Sequence, residues 1–157
     1  MVHYTYKTQF GNIAVVSDGS AVTAINFKHE FDCIKKANTV TDTAANQLEE
    51  YFAGKRQIFE IPLNPIGTVF QKRVWNTLLT IPYGETRTYK QIAALLGNPN
   101  ACRAVGMANS KNPIWIMLPC HRVIGANGTL TGYAGGIEFK KKLLELERFA
   151  VKAQFQH

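Results

Sequence analysis

Three side chains with different chemistry stand on consecutive residues in the run Leu118, Pro119, Cys120, His121, Arg122, Val123, Ile124: a thiol, an imidazole and a guanidinium. A thiolate is a nucleophile, an imidazole titrates near neutrality, and a guanidinium holds a permanent positive charge. The apolar residues 114–118 that lead in are expected to form a buried strand. Pro119 has no N–H to give to a ladder, so regular pairing should stop there. Residues 125–128, Gly-Ala-Asn-Gly, lead out as a turn-rich run. Cys120 is then expected where a rigid strand passes into irregular chain. The alternative is an inert buried cysteine, since free Cys is among the most buried residue types. Neighbours in an extended strand point to opposite faces, so Cys120 and His121 can cooperate only if the backbone turns here or a water bridges them.

The rest of the composition narrows what this run can serve. The chain has 157 residues, which suits one domain or two small ones, with 46% hydrophobic and 18% charged residues. No apolar run is long enough to span a bilayer. The opening MVHYTYKTQFGN lacks the apolar segment of a signal peptide, so a cytoplasmic protein is expected, or a nuclear one if the source has a nucleus. Cys33, Cys102 and Cys120 are odd in number and widely spaced, with no CxxC, which favours reduced thiols over a disulfide framework. His29 is the one histidine close to a cysteine other than His121, and His29-x-x-x-Cys33 alone is weak evidence for metal. No metal and no cofactor are expected. Charge is uneven: residues 1–63 hold six Lys/Arg and seven Asp/Glu, a net of −1, while residues 64–157 hold twelve and four, a net of +8. A basic half beside a neutral half is an electrostatic footprint for a polyanion, or simply a solvated basic surface.

The elements that must position Cys120 can be read in order. Residues 2–8, 13–17 and 21–27 are expected to be three strands of an antiparallel meander, broken at Gly11-Asn12 and turned at Asp18-Gly19. A helix is expected from Thr43, with Leu48, Tyr51 and Phe52 on one face, ended by Gly54. Residues 58–63 read as a short strand or extended segment. Residues 64–67 read as a connector, giving domains 1–63 and 64–157. Thr68 is expected to cap a helix whose buried stripe is Phe70, Val74, Trp75, Leu78 and Leu79. Thr88 caps the next, with Tyr89, Ile92, Ala93, Leu95 and Leu96, ended by Gly97. A third spans 101–108. Two short helices joined by a Gly-containing turn make a helix-turn-helix, or any αα-hairpin.

That third helix is smooth: Ala101, Ala104, Gly106 and Ala108 leave Arg103 standing out. It can approach a partner closely or pack against the protein's own core, and both can hold on different faces. A hairpin is expected at 125–128, a loop holding Tyr133 at 132–136, and a last helix at 137–149 with Phe139, Leu143 and Leu146 on its apolar side. Helix-turn-helix followed by a hairpin is the plan of a winged helix, so the fold class is α+β.

These residues resemble the O6-alkylguanine-DNA alkyltransferases, also called methylated-DNA–protein-cysteine methyltransferases. The resemblance runs from residue 68 to 147, through FQKRVWNTLLTIPYGETRTYKQIAALLGNPNACRAVGMANSKNPIWIMLPCHRVIGANGTLTGYAGG and then KKLLELE. It implies a ribonuclease-H-like N-terminal domain and a winged-helix-like DNA-binding domain. The implied activity is DNA repair: O6-alkylguanine is flipped out of duplex DNA, and its alkyl group passes irreversibly to Cys120, once per molecule. O4-alkylthymine is a second implied substrate. The implied partner is double-stranded DNA bound through the minor groove by a monomer, with no membrane.

By the same resemblance Cys120 is the acceptor, His121 the base acting through a water, and Glu147 the carboxylate that orients the histidine. Asn112 braces the active turn. Tyr89 helps rotate the 3′ phosphate and donates a proton towards the flipped guanine. Arg103 is the finger that fills the gap in the stack, on a DNA-binding face with Thr88, Ala101, Ala104 and Gly106. Tyr133, Ala134, Gly135, Val123 and Asn109 line the substrate pocket, and Arg122 is structural. Ala134 stands where some members have serine: the hydroxyl is lost and the backbone N–H remains, which leaves the tolerated alkyl size open.

The chemistry asks for these residue types independently. Alkyl transfer from oxygen to sulfur is an in-line displacement that needs a thiolate, and a free Cys, with a pKa of about 8.5, is only partly ionised near neutrality. A His/Glu pair raises the thiolate fraction. The product is a thioether, and nothing in the sequence suggests machinery to cleave it. An Arg wedge on a smooth helix suits the cost of flipping a base. Two other readings stand beside this one: a non-catalytic relative that binds the lesion, which would lack the cysteine, and a cysteine hydrolase with a Cys-His-Glu site, which would have no need of a basic helix-turn-helix.

Overall fold

The computed structural model describes residues 1–27, 31–130, 133 and 135–155. Its contacts divide the chain into two compact units: residues 1–66 with 113–115, and residues 67–112 with 116–157. Among the described residues no helix is long and apolar enough to cross a membrane.

The first unit is built on β1 (Val2–Thr8), β2 (Gly11–Ser17), β3 (Val22–Asn26) and β4 (Ile34–Lys35), in sheet order β3-β2-β1-β4. The first three form the expected antiparallel meander. Gly11, at φ 109°, lets the chain turn from β1 into β2. β4 adds to β1 in parallel. β2 is central, so its residues Ile13 to Val16 are all buried rather than alternating. Helix α1 (Thr39–Phe52) packs on the sheet. It begins before the expected Thr43, because Asn38 and Thr41 form a capping box: the Asn38 side chain accepts from the Thr41 N–H, and the Thr41 hydroxyl accepts from the Asn38 N–H. Residues 58–63 form no strand and pair only at Leu63, with Val22. The Gln47 side chain occupies the backbone of Glu60 instead, accepting from its N–H at 2.9 Å and donating to its carbonyl at 3.1 Å.

The second unit starts with α2 (Val69–Leu78), capped by Thr68 and Gln71 in a second capping box. Val74, Trp75 and Leu78 form its buried face, while Leu79, expected in the stripe, lies past the helix end and is exposed. The short strand β5 (Arg87–Thr88) runs straight into α3 (Tyr89–Leu95), where Thr88 and Gln91 repeat the capping box. Ile92 and Ala93 are buried, and Leu95 is exposed. Helix α4 (Cys102–Ser110) follows after a tight turn, completing the helix-turn-helix.

The expected strand at 114–118 is absent. Only Ile114 pairs, with Ile25, both residues of the first unit, and Ile116 then takes φ 75°, a left-handed conformation that breaks any strand. Ile116, Met117 and Leu118 are buried all the same. A short apolar run reports burial and cannot by itself distinguish strand from coil. Next comes one 3₁₀ turn (Cys120–Arg122) and β6 (Val123–Ile124). The run 125–128 closes a turn, with the Gly128 N–H on the Gly125 carbonyl and the Gly125 N–H on the Thr129 carbonyl. β6 pairs with β5, in parallel, which ties the segment after Cys120 to the start of α3, while the return arm of the expected hairpin runs into residues 131 and 132, outside the described residues. Helix α5 (Ile137–Phe155) runs past the expected end at 149. Its buried face is Phe139, Lys140, Leu143, Leu144 and Glu147, with Leu146 only half-buried.

Candidate active site

Cys120 is placed by a backbone that turns sharply. Pro119, at φ −80° and ψ 61°, sits at the centre of an inverse γ-turn in which the Cys120 N–H donates to the Leu118 carbonyl at 2.7 Å. The Arg122 N–H then donates to the Pro119 carbonyl at 3.0 Å. In a 3₁₀ turn successive side chains are separated by a third of a revolution. Cys120, His121 and Arg122 therefore fan out in three directions, all buried.

Two asparagines fasten the turn, Asn109 from α4 and Asn112 from just past its C-terminal end. The Asn112 amide donates to the Leu118 carbonyl at 2.8 Å and to Cys120 Sγ at 3.0 Å. The Asn109 amide donates to the Cys120 carbonyl at 3.3 Å, and its own Oδ1 is buried with no hydrogen-bond partner among the described residues. The thiol is 1% exposed. Burial pushes it up to about 11, against the pull of the Asn112 hydrogen bond and the Lys140 charge. At rest it is a neutral thiol, so a base must take its proton before it attacks.

His121 is positioned to be that base. Its Nε2 lies 2.6 Å from Glu147 Oε2 with both side chains fully buried. Burial lowers the imidazole pKa against the raising effect of Glu147, which keeps the ring neutral. A neutral ring that donates from Nε2 has its lone pair on Nδ1, and that atom is buried with no hydrogen-bond partner among the described residues.

Glu147 is held in place from three other directions. Arg122 Nε donates to its Oε1 at 2.9 Å and Nη2 to its Oε2 at 3.1 Å, while the Gly84 N–H donates to Oε1 at 3.1 Å. Burial alone would raise its carboxyl, but the hydrogen bonds and charges of His121 and Arg122 outweigh that and hold it down at about 2. Arg122 also donates from Nη1 to the Ile81 carbonyl at 2.8 Å and lies over the Tyr83 ring, so it locks the carboxylate.

Around this centre Val123 is fully buried, and its carbonyl accepts from Lys140 Nζ. Tyr133 is buried and stacked on Phe139, with centroids 6.1 Å apart. Gly135 is half-buried, while Ala134 and Gly132 lie outside the described residues. Lys140 and Tyr83 are contributors that sequence reasoning missed. The signal for Lys140 was its place two helical turns before Glu147, on one face of α5.

A second group lies on the helix pair. The exposed side of α4 carries Arg103, Ala104 and Met107, and its buried side carries Val105, Ala108 and Asn109, so its small residues divide between a face packed on the protein and a face open to solvent. Ala101 is the N-cap, with no side-chain cap bond. Gly106 faces the Tyr89 ring, where a Cβ would meet ring carbons at 3.8 and 3.9 Å. Tyr89 and Thr88 are half-buried, and the Thr88 hydroxyl accepts from the Gln91 N–H at 3.1 Å. Among the described residues no group of three or more His, Cys, Asp and Glu side chains could hold a metal ion.

The arrangement holds one buried thiol beside an imidazole–carboxylate–guanidinium cluster on a helix-turn-helix scaffold. Residues 1–65 match the ribonuclease-like domain of 6-O-methylguanine DNA methyltransferase, and residues 69–149 match its DNA-binding domain. The chain belongs to the 6-O-methylguanine DNA methyltransferase family. A methylated-DNA–protein-cysteine methyltransferase of Methanosarcina acetivorans is 48% identical over 153 residues, covering 94% of this chain and 98% of that protein. The constitutive methylated-DNA–protein-cysteine methyltransferase of Bacillus subtilis is 44% identical over 94% of this chain and 96% of its own length. The crystal structure of Mycobacterium tuberculosis OGT in complex with DNA superposes with a TM-score of 0.90 at 45% identity, covering 96% of this chain and 94% of that one.

Proposed function

We propose that this chain repairs DNA by direct reversal, moving the alkyl group of O6-alkylguanine onto its own Cys120. The carrying observation is the Cys120 turn, with Asn112 on the sulfur and the buried His121–Glu147–Arg122 cluster behind it. The Cys120 proton passes through a water to His121 Nδ1. The thiolate attacks the alkyl carbon, a C–S bond forms as the C–O6 bond breaks, and the electron pair leaves on the guanine, which takes a proton from Tyr89. Glu147 stabilises the imidazolium that results. The thioether is not cleaved by water, so one molecule repairs one lesion. Arg103, Ala104, Ala101, Gly106, Thr88 and Tyr89 form the duplex-facing surface, with Arg103 filling the place of the flipped base. Tyr133, Ala134, Gly135, Val123 and Asn109 line the pocket for that base. The protein acts as a monomer in the compartment that holds the DNA, the cytoplasm or a nucleus, with domains at 1–63 and 64–157. Relatives named for transfer from methylated DNA to a protein cysteine support this reading.

The test is mass spectrometry after mixing with a duplex that contains O6-methylguanine. One methyl on Cys120 per molecule is expected. An unmodified protein that still binds the duplex would overturn transfer in favour of lesion binding alone, and repeated turnover would point to a hydrolase.

A further inference from the structure

Asn109 is an amide with one arm engaged and one arm idle beside the Cys120 turn. It is 1% exposed, on the buried face of α4. Its Nδ2 donates to the Cys120 carbonyl at 3.3 Å, which fixes the orientation of the planar amide and leaves Oδ1 as the free acceptor. That oxygen is buried and has no hydrogen-bond partner among the described residues. Buried polar atoms are nearly always paired, and an acceptor without a donor is costly.

The neighbouring acceptors each have a donor. The Leu118 carbonyl takes the Cys120 N–H and the Asn112 amide, and the Cys120 carbonyl takes the Val123 N–H and the Asn109 amide. The Val123 carbonyl takes Lys140 Nζ. His121 Nδ1 is also unpaired among the described residues, but it has the Cys120 proton to receive. Asn109 Oδ1 stands on the residue that holds the nucleophile's own carbonyl, with nothing to accept from.

We propose that Asn109 Oδ1 accepts a hydrogen bond from the exocyclic 2-amino group of the flipped base, and so sets the preference of this site for guanine among O6-alkylated bases. The inference rests on the alkyl-transfer reading of the same site. Alkylation at O6 removes the N1 proton of guanine, so N1, N3 and N7 are all acceptors, and N9 is taken by the sugar. The 2-amino group is the one donor left on the ring, and it shares the Watson–Crick edge with the alkyl group. A flipped base is read through that edge. O6-alkylhypoxanthine, the same purine without the amine, has no donor, and neither has O4-alkylthymine. A buried acceptor matched to a substrate N–H discriminates against the analogue that lacks it, because the acceptor then stays unpaired. A base held by its amine also has its alkyl carbon positioned for attack by Sγ.

The test compares two single-stranded oligonucleotides, one with O6-methyl-2′-deoxyguanosine and one with O6-methyl-2′-deoxyinosine. They differ by the amine alone and have no base pair to open. Second-order rates of methyl transfer are measured for the unmodified protein and for Asn109→Leu, which keeps a branched shape and removes the acceptor. Peptide mass spectrometry locates the methyl on Cys120. In the unmodified protein guanine should react about tenfold or more faster than hypoxanthine, the size of one good hydrogen bond. Asn109→Leu should shrink that ratio about tenfold, whatever common factor the lost bond to the Cys120 carbonyl puts on both substrates. The intrinsic reactivities of the two bases cancel in that comparison. Should Asn109→Leu not fold, Asn109→Ser, whose short side chain withdraws the acceptor, is judged by the same ratio. A ratio within about threefold in the unmodified protein overturns the proposal without any variant. An equal loss on both substrates in the variant also overturns it, the outcome if Oδ1 serves a water shared with His121 or a donor elsewhere in the chain. If neither oligonucleotide methylates Cys120, the alkyl-transfer reading fails, and the affinities for the two oligonucleotides, judged by the same ratio, decide the role of Asn109 alone.

Discussion

His121 and Glu147 are joined Nε2 to Oε2 at 2.6 Å from elements 26 residues apart, both wholly out of water. The same carboxylate takes two bonds from Arg122 and one from the Gly84 N–H. Glu147 is therefore the point where the active turn, the 82–85 turn and α5 are fastened together, and it also fixes which nitrogen of His121 carries the lone pair.

The first consequence is acid lability. The Glu147 carboxyl lies at about 2 in the folded chain against an ordinary value of 4.5, so its contribution to stability is complete above pH 4.5 and is lost as pH falls towards 2. The depression corresponds to about 3 kcal/mol. His121, lowered below 6.5, adds in the same direction: it must gain a proton in the unfolded state first, so stability is lost as pH falls below that value. Thermal melts across pH 7 to 3 should show a falling midpoint, and Glu147→Gln should flatten the lower part of that curve. Glu147→Gln should also lower stability at pH 7 by about 3 kcal/mol, because it strands a buried Arg122. An unchanged acid limb in the variant would remove Glu147 from this role.

Asn112 holds two atoms of the reactive turn at once. Asn112→Ala takes one of two hydrogen bonds from the buried Leu118 carbonyl, which keeps the Cys120 N–H, and removes the amide from Cys120 Sγ. The expected loss is about 1–3 kcal/mol of stability, with a fall in the second-order rate of Cys120 methylation on both duplex and free base. Asn112→Asp keeps the shape but puts a negative charge beside the sulfur, so it should fold and react more slowly still at neutral pH. Chemical denaturation and stopped-flow methylation measure the two effects, and a fully active Asn112→Ala protein would deny the brace.

Arg103 is exposed on α4, while Asn109 of the same helix is buried. Arg103→Ala should slow repair of a duplex by about tenfold or more, a part of the few kcal/mol that unstacking costs. Attack on the free alkylated base, which needs no flipping, should barely change. Second-order rates for both substrates decide the point: equal losses would make Arg103 a support of the active site.

Binding to undamaged duplex should depend steeply on salt and little on sequence. Residues 64–157 have a net charge of +8, and the exposed side of α4 offers no long polar base-reader beyond Arg103. The log–log slope should be about −0.9 per phosphate neutralised. Fluorescence anisotropy at several salt concentrations measures it, and a flat dependence would count against the charge argument.

Much of the scaffold was legible in the sequence because it is written locally. Thr68 with Gln71 and Thr88 with Gln91 are capping boxes whose partners lie three residues apart, and both helices begin where those pairs put them. The β-rich runs of β1 to β3, the turn residues between them and the glycine after α1 are equally local. Cys120 stood out because thiol, imidazole and guanidinium are adjacent in the chain.

What only the tertiary structure decided depends on groups distant in sequence. Residues 114–118 carry a strand-like apolar pattern, yet Ile116 turns left-handed, because apolar character reports burial without reporting hydrogen-bond partners. The α1 start escaped notice because Asn38 precedes the apolar stripe. Lys140 and Glu147 have the spacing of one helix face, but charged residues at that spacing face water as readily as a core. That both are buried against the Cys120 turn follows from where α5 packs, and no local pattern encodes it. Adjacency in the chain put the reactive groups together, while long-range packing set their protonation states, since desolvation and charge partners arise only on folding.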